Sequence, residues 1–263
     1  MKIIAIAAGK GGVGKSTAAV NLALALKESG SACAIIDADL YGPSIANMLG
    51  VQASIKEEEG YIIPASGLGV QYVSLALFPF GKNPSIVRAP IANHIIGEFL
   101  EKVRWNNIDY LLIDFPPGTG DIQLTIMQKI SLDGVVLIST PQLVSLLDVK
   151  KAFGMFSQME VPVLGMVENM SYFENGMEKH YIFGKGHVEA FCKEQKIPLL
   201  GSIPIEERVT ECCDKGISLI NKYPNSSSSL SYIKIQKNLE QELFKSLNTF
   251  DQSIGDFKIL WKN

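Results

Sequence analysis

Residues 1–17, MKIIAIAAGKGGVGKST, decide the fold. A short apolar run, Ile3 to Ala8, leads into Gly9-Lys10-Gly11-Gly12-Val13-Gly14-Lys15-Ser16-Thr17, which fits the phosphate-binding pattern G-x-x-x-x-G-K-[ST]. Residues without a Cβ reach positive φ, so such a loop wraps closely around phosphates. Successive N–H groups then face phosphate oxygens, and the helix starting near Lys15 adds its positive N-terminal end. In this pattern Lys15 reaches the β- and γ-phosphates and the Ser16 hydroxyl sits on Mg²⁺. Gly9 through Thr17 is therefore the expected nucleoside triphosphate cradle, with Mg²⁺ beside it. A glycine-rich turn between a strand and a helix would explain the glycines, but not a Lys-Ser pair at that offset.

Outward from this stretch, apolar runs alternate with helical patterns. Strands are expected at Ile3–Ala8, Ala32–Asp37, Val70–Leu75, Tyr110–Asp114, Gly134–Thr140, Val163–Glu168 and Leu199–Ile203. Several are continuous Val/Ile/Leu runs, as strands buried on both faces of a parallel sheet require. Helices are expected at Lys15–Ser29, Ala92–Val103, Ile122–Ile130, Leu143–Gln158 and Val188–Gln195. The βαβ alternation predicts an α/β fold, a doubly wound, mostly parallel sheet of the P-loop NTPase kind. Ligands on such sheets bind at the carboxyl ends of the strands, where every motif below stands. Asn225–Ser229 reads as a break after Pro224. A last helix over Ser231–Leu247 carries Ile235, Leu239, Leu243 and Leu247 at steps of four, a packing face. Residues 1–249 are expected to form one domain and 250–263 a tail.

Composition narrows the function classes. The 263 residues are 47% hydrophobic and 19% charged, with a net charge of −3. That charge gives no electrostatic basis for nonspecific nucleic-acid binding. No apolar run approaches the length of a membrane span, and the last helix mixes Lys234, Lys237 and Lys245 with Glu240 and Glu242, so no membrane partner is expected. The N-terminus lacks the features of a secretory signal, and the four cysteines, Cys33, Cys192, Cys212 and Cys213, form no disulfide framework. A cytoplasmic location is expected.

Two further motifs supply carboxylates. Asp37-Ala38-Asp39-Leu40-Tyr41-Gly42-Pro43-Ser44 follows a strand and enters a turn. Asp39 is the candidate for positioning the attacking water, and Asp37 for Mg²⁺ or for a structural turn. Asp114-Phe115-Pro116-Pro117-Gly118-Thr119-Gly120-Asp121 places Asp114 after an apolar strand, the Walker B arrangement for Mg²⁺, directly or through water. The proline- and glycine-rich segment behind it suits a switch loop that senses the γ-phosphate.

Lys10 refines the class. The form K-G-G-V-G-K-[ST] resembles the deviant Walker A loop of the MinD/ParA/nitrogenase-iron-protein ATPases. That resemblance implies a homodimer in which Lys10 reaches the partner's nucleotide, so Lys10, Lys15 and Asp39 form the expected catalytic set. Three segments together, Asp37–Ser44, Asp114–Asp121 and Val167–Phe173 (VENMSYF), resemble the Mrp/ApbC subfamily of iron–sulfur cluster carrier ATPases. Arg88-Ala89-Pro90, Ser139-Thr140-Pro141-Gln142 and Pro162–Gly165 add to the likeness, which covers roughly residues 1–220. It implies slow ATP hydrolysis, Asn169 on the adenine, and client or scaffold proteins that exchange iron–sulfur clusters.

The resemblance breaks at one place. Relatives of this kind carry a C-x-x-C after M-S-Y-F, whereas this chain reads Phe173-Glu-Asn-Gly-Met-Glu-Lys-His-Tyr-Ile182. No cluster ligand is expected there. Cys212 and Cys213 are the remaining candidates, although adjacent thiols chelate awkwardly. His180 reads as polar surface. The accessory N-terminal domain of many relatives is not expected, since the loop starts at Gly9. The alternative function is a cluster-free, ATP-switched scaffold or positioning factor for a protein or membrane partner.

Overall fold

The computed structural model describes residues 1–39, 42–50, 56–77, 89–176 and 178–255. Leu40, Tyr41, Arg88, Met177 and the end of the expected tail lie outside the described residues. In chain order the elements begin with β1 (Lys2–Ala8), α1 (Lys15–Glu28), β2 (Cys33–Asp37) and α2 (Ile45–Met48). Four short strands follow: β3 (Lys56–Glu58), β4 (Tyr61–Ile63), β5 (Ala65–Gly67) and β6 (Val70–Ser74). The middle of the chain holds α3 (Ala89–Lys102), β7 (Tyr110–Asp114), α4 (Asp121–Lys129), β8 (Gly134–Ser139), α5 (Leu143–Gln158) and β9 (Val163–Glu168). The last part holds β10 (Phe173–Asn175), β11 (Glu178–His180), α6 (His187–Gln195), β12 (Leu199–Ser202), α7 (Glu207–Lys215), α8 (Leu219–Lys222) and α9 (Ser227–Gly255).

The central sheet has the order β12-β9-β8-β1-β7-β2-β6-β5. All its pairings are parallel except that of edge strand β5 with β6. Because β1 is central, its residues alternate between two cores. Ile4, Ile6 and Ala8 pack with α1, α7, α8 and α9 residues on one face. Ala5 and Ala7 pack with residues of α3, α4, α5 and α6 on the other. Helix α1 is rich in alanine and leucine and is buried on nearly every side, which fits its place between the sheet, β2 and α9. Register then sets the site: Asp114 pairs with Ile6 of β1, and Asp37 of β2 pairs with Asp114. Both acids and the loop after Ala8 therefore sit at the same edge of the sheet.

Each of the seven expected strands is found within about a residue of its predicted ends, and α5 has the predicted bounds. The final helix corrects the reading. It starts at Ser227 and runs to Gly255, through part of the expected break and past the expected boundary at 249. The physical reason is capping: Ser226 Oγ accepts the Ser229 N–H at 3.2 Å, so the serine run opens a helix rather than interrupting one. Ile235, Leu239 and Leu243 are buried and Leu247 is partly buried, so the stripe does pack, against α1, β9 and β12. The hairpins β3–β4 and β10–β11 and helix α7 are additions to the sequence reading.

Candidate functional site

The loop between β1 and α1 is held from two sides. Gly9 sits against the backbone of α5: a Cβ there would lie 2.1 Å from the carbonyl carbon of Asp148 and 2.3 Å from the Val149 nitrogen. These are backbone atoms of a packed helix and cannot step aside. Gly12 and Gly14 turn the chain through left-handed geometry, at φ 80° and 81°. Helix α1 begins immediately afterwards with Lys15. Replacing Gly9 with alanine is expected to cost roughly 2–4 kcal/mol of stability by overpacking. Urea denaturation checks this; a wild-type midpoint would contradict the packing argument.

Beneath the loop lies a buried polar cluster. Lys15 Nζ donates to Asp114 Oδ1 at 2.6 Å, and Ser16 Oγ donates to Asp114 Oδ2, also at 2.6 Å. Lys15 Nζ also lies 3.3 Å from Ser16 Oγ. Lys15 and Asp114 are 7% and 0% exposed, so this ion pair is shielded from water. Beside it, Asp37 accepts from Ser74 Oγ at 3.0 Å and from the backbone N–H groups of Ser44, Ile45 and Asp39 at 3.2, 3.3 and 3.3 Å. Burial, then the charge of Asp114, pushes Asp37 up to about 7, against the pull of Ser74, Ile45 and Lys15. Burial also raises Asp114, opposed by Lys15 and Ser16, while the Asp39 charge pushes it further up.

Two neighbouring buried carboxylates with an adjacent hydroxyl form a hard-oxygen donor set. Mutual repulsion of this kind is relieved by a divalent cation. Ser16, Asp37 and Asp114 therefore fit Mg²⁺ by their chemistry. Asp39 is partly exposed, and its charge acts on Asp114. Lys10 is partly exposed at the start of the loop and forms no ion pair among the described residues. Asn169, just after β9, turns toward the loop: its Nδ2 donates to the Val13 carbonyl at 2.8 Å.

Sequence reasoning missed two supports. Ser74, at the end of β6, braces Asp37 from a strand that carries no motif of its own. Gln123 holds the Pro116–Gly120 loop: its Nε2 donates to the Pro116 carbonyl at 2.8 Å, and its Oε1 accepts the Gly120 N–H at 2.6 Å. The signal for it was present, a glutamine three residues after a helix-starting position. A cleft of about 680 Å³ opens off Thr17 between α2 and α7, lined by Ser44, Asn47, Val209, Thr210, Cys213 and Asp214 among others.

This chain matches the profile of a family described as ParA, NUBPL iron-transfer P-loop NTPase, over residues 1–240. The chain belongs to this family. An iron-sulfur cluster carrier protein of Aquifex aeolicus is 42% identical over 251 residues, 94% of this chain and 69% of that one. A nucleotide-binding protein from Archaeoglobus fulgidus, solved in complex with ADP, superposes with a TM-score of 0.73 at 35% identity, covering 86% of this chain and 93% of that one. The septum site-determining protein MinD of Pyrococcus horikoshii, solved with Mg-ADP, has a TM-score of 0.68 at 21% identity, with 93% and 98% covered, and shows the shared fold. The site and the family together make this a nucleotide-binding P-loop ATPase.

Within this family member the cysteines are dispersed. Cys33 and Cys192 are buried, and burial raises their thiols to about 12 and about 11. Cys212 and Cys213 stand side by side on α7 and face different surroundings. Cys212 is in the core, whereas Cys213 lines the cleft, its Sγ 4.0 Å from Asn21 Nδ2. Among the described residues no group of three or more His, Cys, Asp or Glu side chains is placed to hold a metal ion. The segment expected to lack cluster ligands folds as the β10–β11 hairpin, in which Phe173 pairs with His180 and Glu174 with Lys179. Among the described residues no helix is long and apolar enough to cross a membrane.

Proposed function

We propose that this protein hydrolyses ATP slowly, to ADP and phosphate, as a homodimer, and that the cycle serves iron–sulfur cluster assembly or transfer with the cluster as cargo. The observation that carries the ATPase half is the buried Lys15–Asp114–Ser16 cluster with Asp37 alongside, under a phosphate-binding loop. Phosphoryl transfer needs little covalent chemistry from a protein, so positioning and charge neutralisation suffice. Lys15 offers its ammonium to the phosphate oxygens. Ser16, Asp37 and Asp114 would hold Mg²⁺, which would supply charge neutralisation at the phosphates. Asp39 orients the attacking water, and Lys10 extends to the nucleotide of the second subunit. Asn169 stands beside the loop and is within the set that meets the nucleotide.

The iron–sulfur half rests on the names of the relatives, among them the Aquifex carrier. Client or scaffold proteins are then its partners, in the cytoplasm, with neither nucleic acid nor membrane involved. A second reading is favoured by one observation, the hairpin without cysteine at Phe173–His180. In it, the same ATP-switched dimer acts as a cluster-free scaffold.

The dimer is tested through Lys10. Lys10→Ala is expected to keep most of its nucleotide affinity and to lose roughly a hundredfold or more in hydrolysis, as when a cation supplied in trans is removed. Mixing it with an Asp39→Ala protein restores part of the rate through hybrid dimers with one intact composite site. No restoration, with an ATP-bound protein that sediments as a monomer, refutes the trans role.

A further inference from the structure

We infer that Asn169 is a positioning residue for the phosphate-binding loop: its side-chain amide fixes the Val13–Gly14 peptide plane, and with it the direction of the Gly14 N–H. The inference rests on the reading of Gly9–Thr17 as the nucleotide cradle and gives Asn169 a task separate from contact with the base.

Asn169 follows the last residue of β9, and its own backbone N–H donates to Ser139 of the neighbouring strand β8 at 2.8 Å. The residue is 6% exposed, so its amide has little access to water and needs protein partners. The Nδ2 group finds one in the Val13 carbonyl at 2.8 Å. The next residue in the loop is shaped around the same group. Gly14 has φ 81°, and a Cβ on it would lie 2.2 Å from Asn169 Nδ2. A side chain at position 14 and the amide of Asn169 cannot occupy this space together. The missing Cβ is the slot through which Asn169 reaches the carbonyl.

The consequence follows from peptide geometry. In a trans peptide the C=O of one residue and the N–H of the next point in opposite directions. Holding the Val13 carbonyl toward Asn169 therefore aims the Gly14 N–H away from Asn169. Glycine populates both signs of φ, so position 14 offers little resistance to a flip of this plane. A flipped plane would replace an N–H donor in the cradle with a carbonyl oxygen, which repels phosphate. The bond from Asn169 supplies the restraint that the glycine lacks.

The test separates phosphate from base. Wild-type protein and Asn169→Ala are titrated calorimetrically with Mg-ATP, Mg-GTP and inorganic tripolyphosphate. The expected result is a loss of about tenfold for tripolyphosphate, the effect of one hydrogen bond, and at least as large a loss for Mg-ATP and Mg-GTP. Asn169→Asp, similar in shape but without the donor, is expected to weaken tripolyphosphate at least as much. The Gly14 amide resonance should also shift in both ligand-free variants. If tripolyphosphate binds both variants as tightly as wild type while ATP alone weakens, Asn169 acts on the base and the inference is overturned. Unchanged affinity for every ligand overturns it as well. Thermal melts identify a variant that has simply unfolded, and in that case the Gly14 shift in the isosteric variant decides. A wild type that binds neither ATP nor tripolyphosphate removes the nucleotide reading itself, a distinct failure.

Discussion

Replacing Lys15 with alanine is expected to weaken Mg-ATP binding by roughly a hundredfold or more, because several charge-assisted contacts to phosphate disappear at once. The surroundings of Lys15 explain why alanine is so damaging. The ammonium of Lys15 already sits 2.6 Å from Asp114 in a pocket closed to water. Removing it strands Asp114, whose remaining side-chain partner is Ser16, and burial then drives that carboxyl toward its protonated form. The variant thus loses a phosphate ligand and disturbs a metal ligand together. Ser16→Ala provides the contrast: it removes a single hydroxyl, so the Mg²⁺-dependent part of the affinity should fall while Mg²⁺-free ATP binding changes little. Calorimetric titration with and without Mg²⁺ measures both. Wild-type Mg-ATP affinity in both variants would show that nucleotide binds elsewhere.

Much of this site was legible because its residues follow strands directly. Asp37 and Asp114 close apolar runs, and runs buried on both faces indicate the parallel sheet in which they pair. Lys15 and Ser16 stand at a fixed offset from Gly9, and α5 ends where its apolar pattern ends. The supports were less legible for identifiable reasons. Ser74 reaches Asp37 only through the adjacency of β6 and β2, a long-range fact with no local signature. The β3–β4 hairpin pairs Lys56-Glu57-Glu58, three exposed charged residues without an alternating pattern, with Tyr61–Ile63. The start of α9 was misread because serines favour loops and helix caps alike, and only the bond between Ser226 and Ser229 separates the two. Asn169 follows an apolar strand in the sequence, but its contact with Val13 depends on a slot at Gly14 that only the fold creates.

The β10–β11 hairpin, which carries no cysteine, leads to the second large effect. After anaerobic reconstitution with iron and sulfide, the purified protein is expected to hold little iron while its nucleotide binding stays intact. The β10–β11 segment offers Glu174, Glu178, Lys179 and His180, none of them the soft thiolate that iron–sulfur clusters take. Lys179 is also committed, its Nζ 3.9 Å from the centre of the Tyr172 ring and 3.8 Å from Glu174. The remaining thiols are poorly prepared. Burial holds all four above the usual cysteine range, so each thiolate is costly to form. Cys212 would have to leave the core before it could join Cys213 in one site. Any cluster that does form is expected to recruit Cys212 and Cys213 or ligands from another molecule. Visible absorption and iron counting provide the measurement, on wild type and on a Cys212→Ser/Cys213→Ser variant. A full cluster in wild type that disappears in the double variant would mean that α7 opens to supply ligands. A full cluster in both would leave Cys33 or Cys192, or a thiol from solution, as the ligand and would contradict the account given of this chain's own residues.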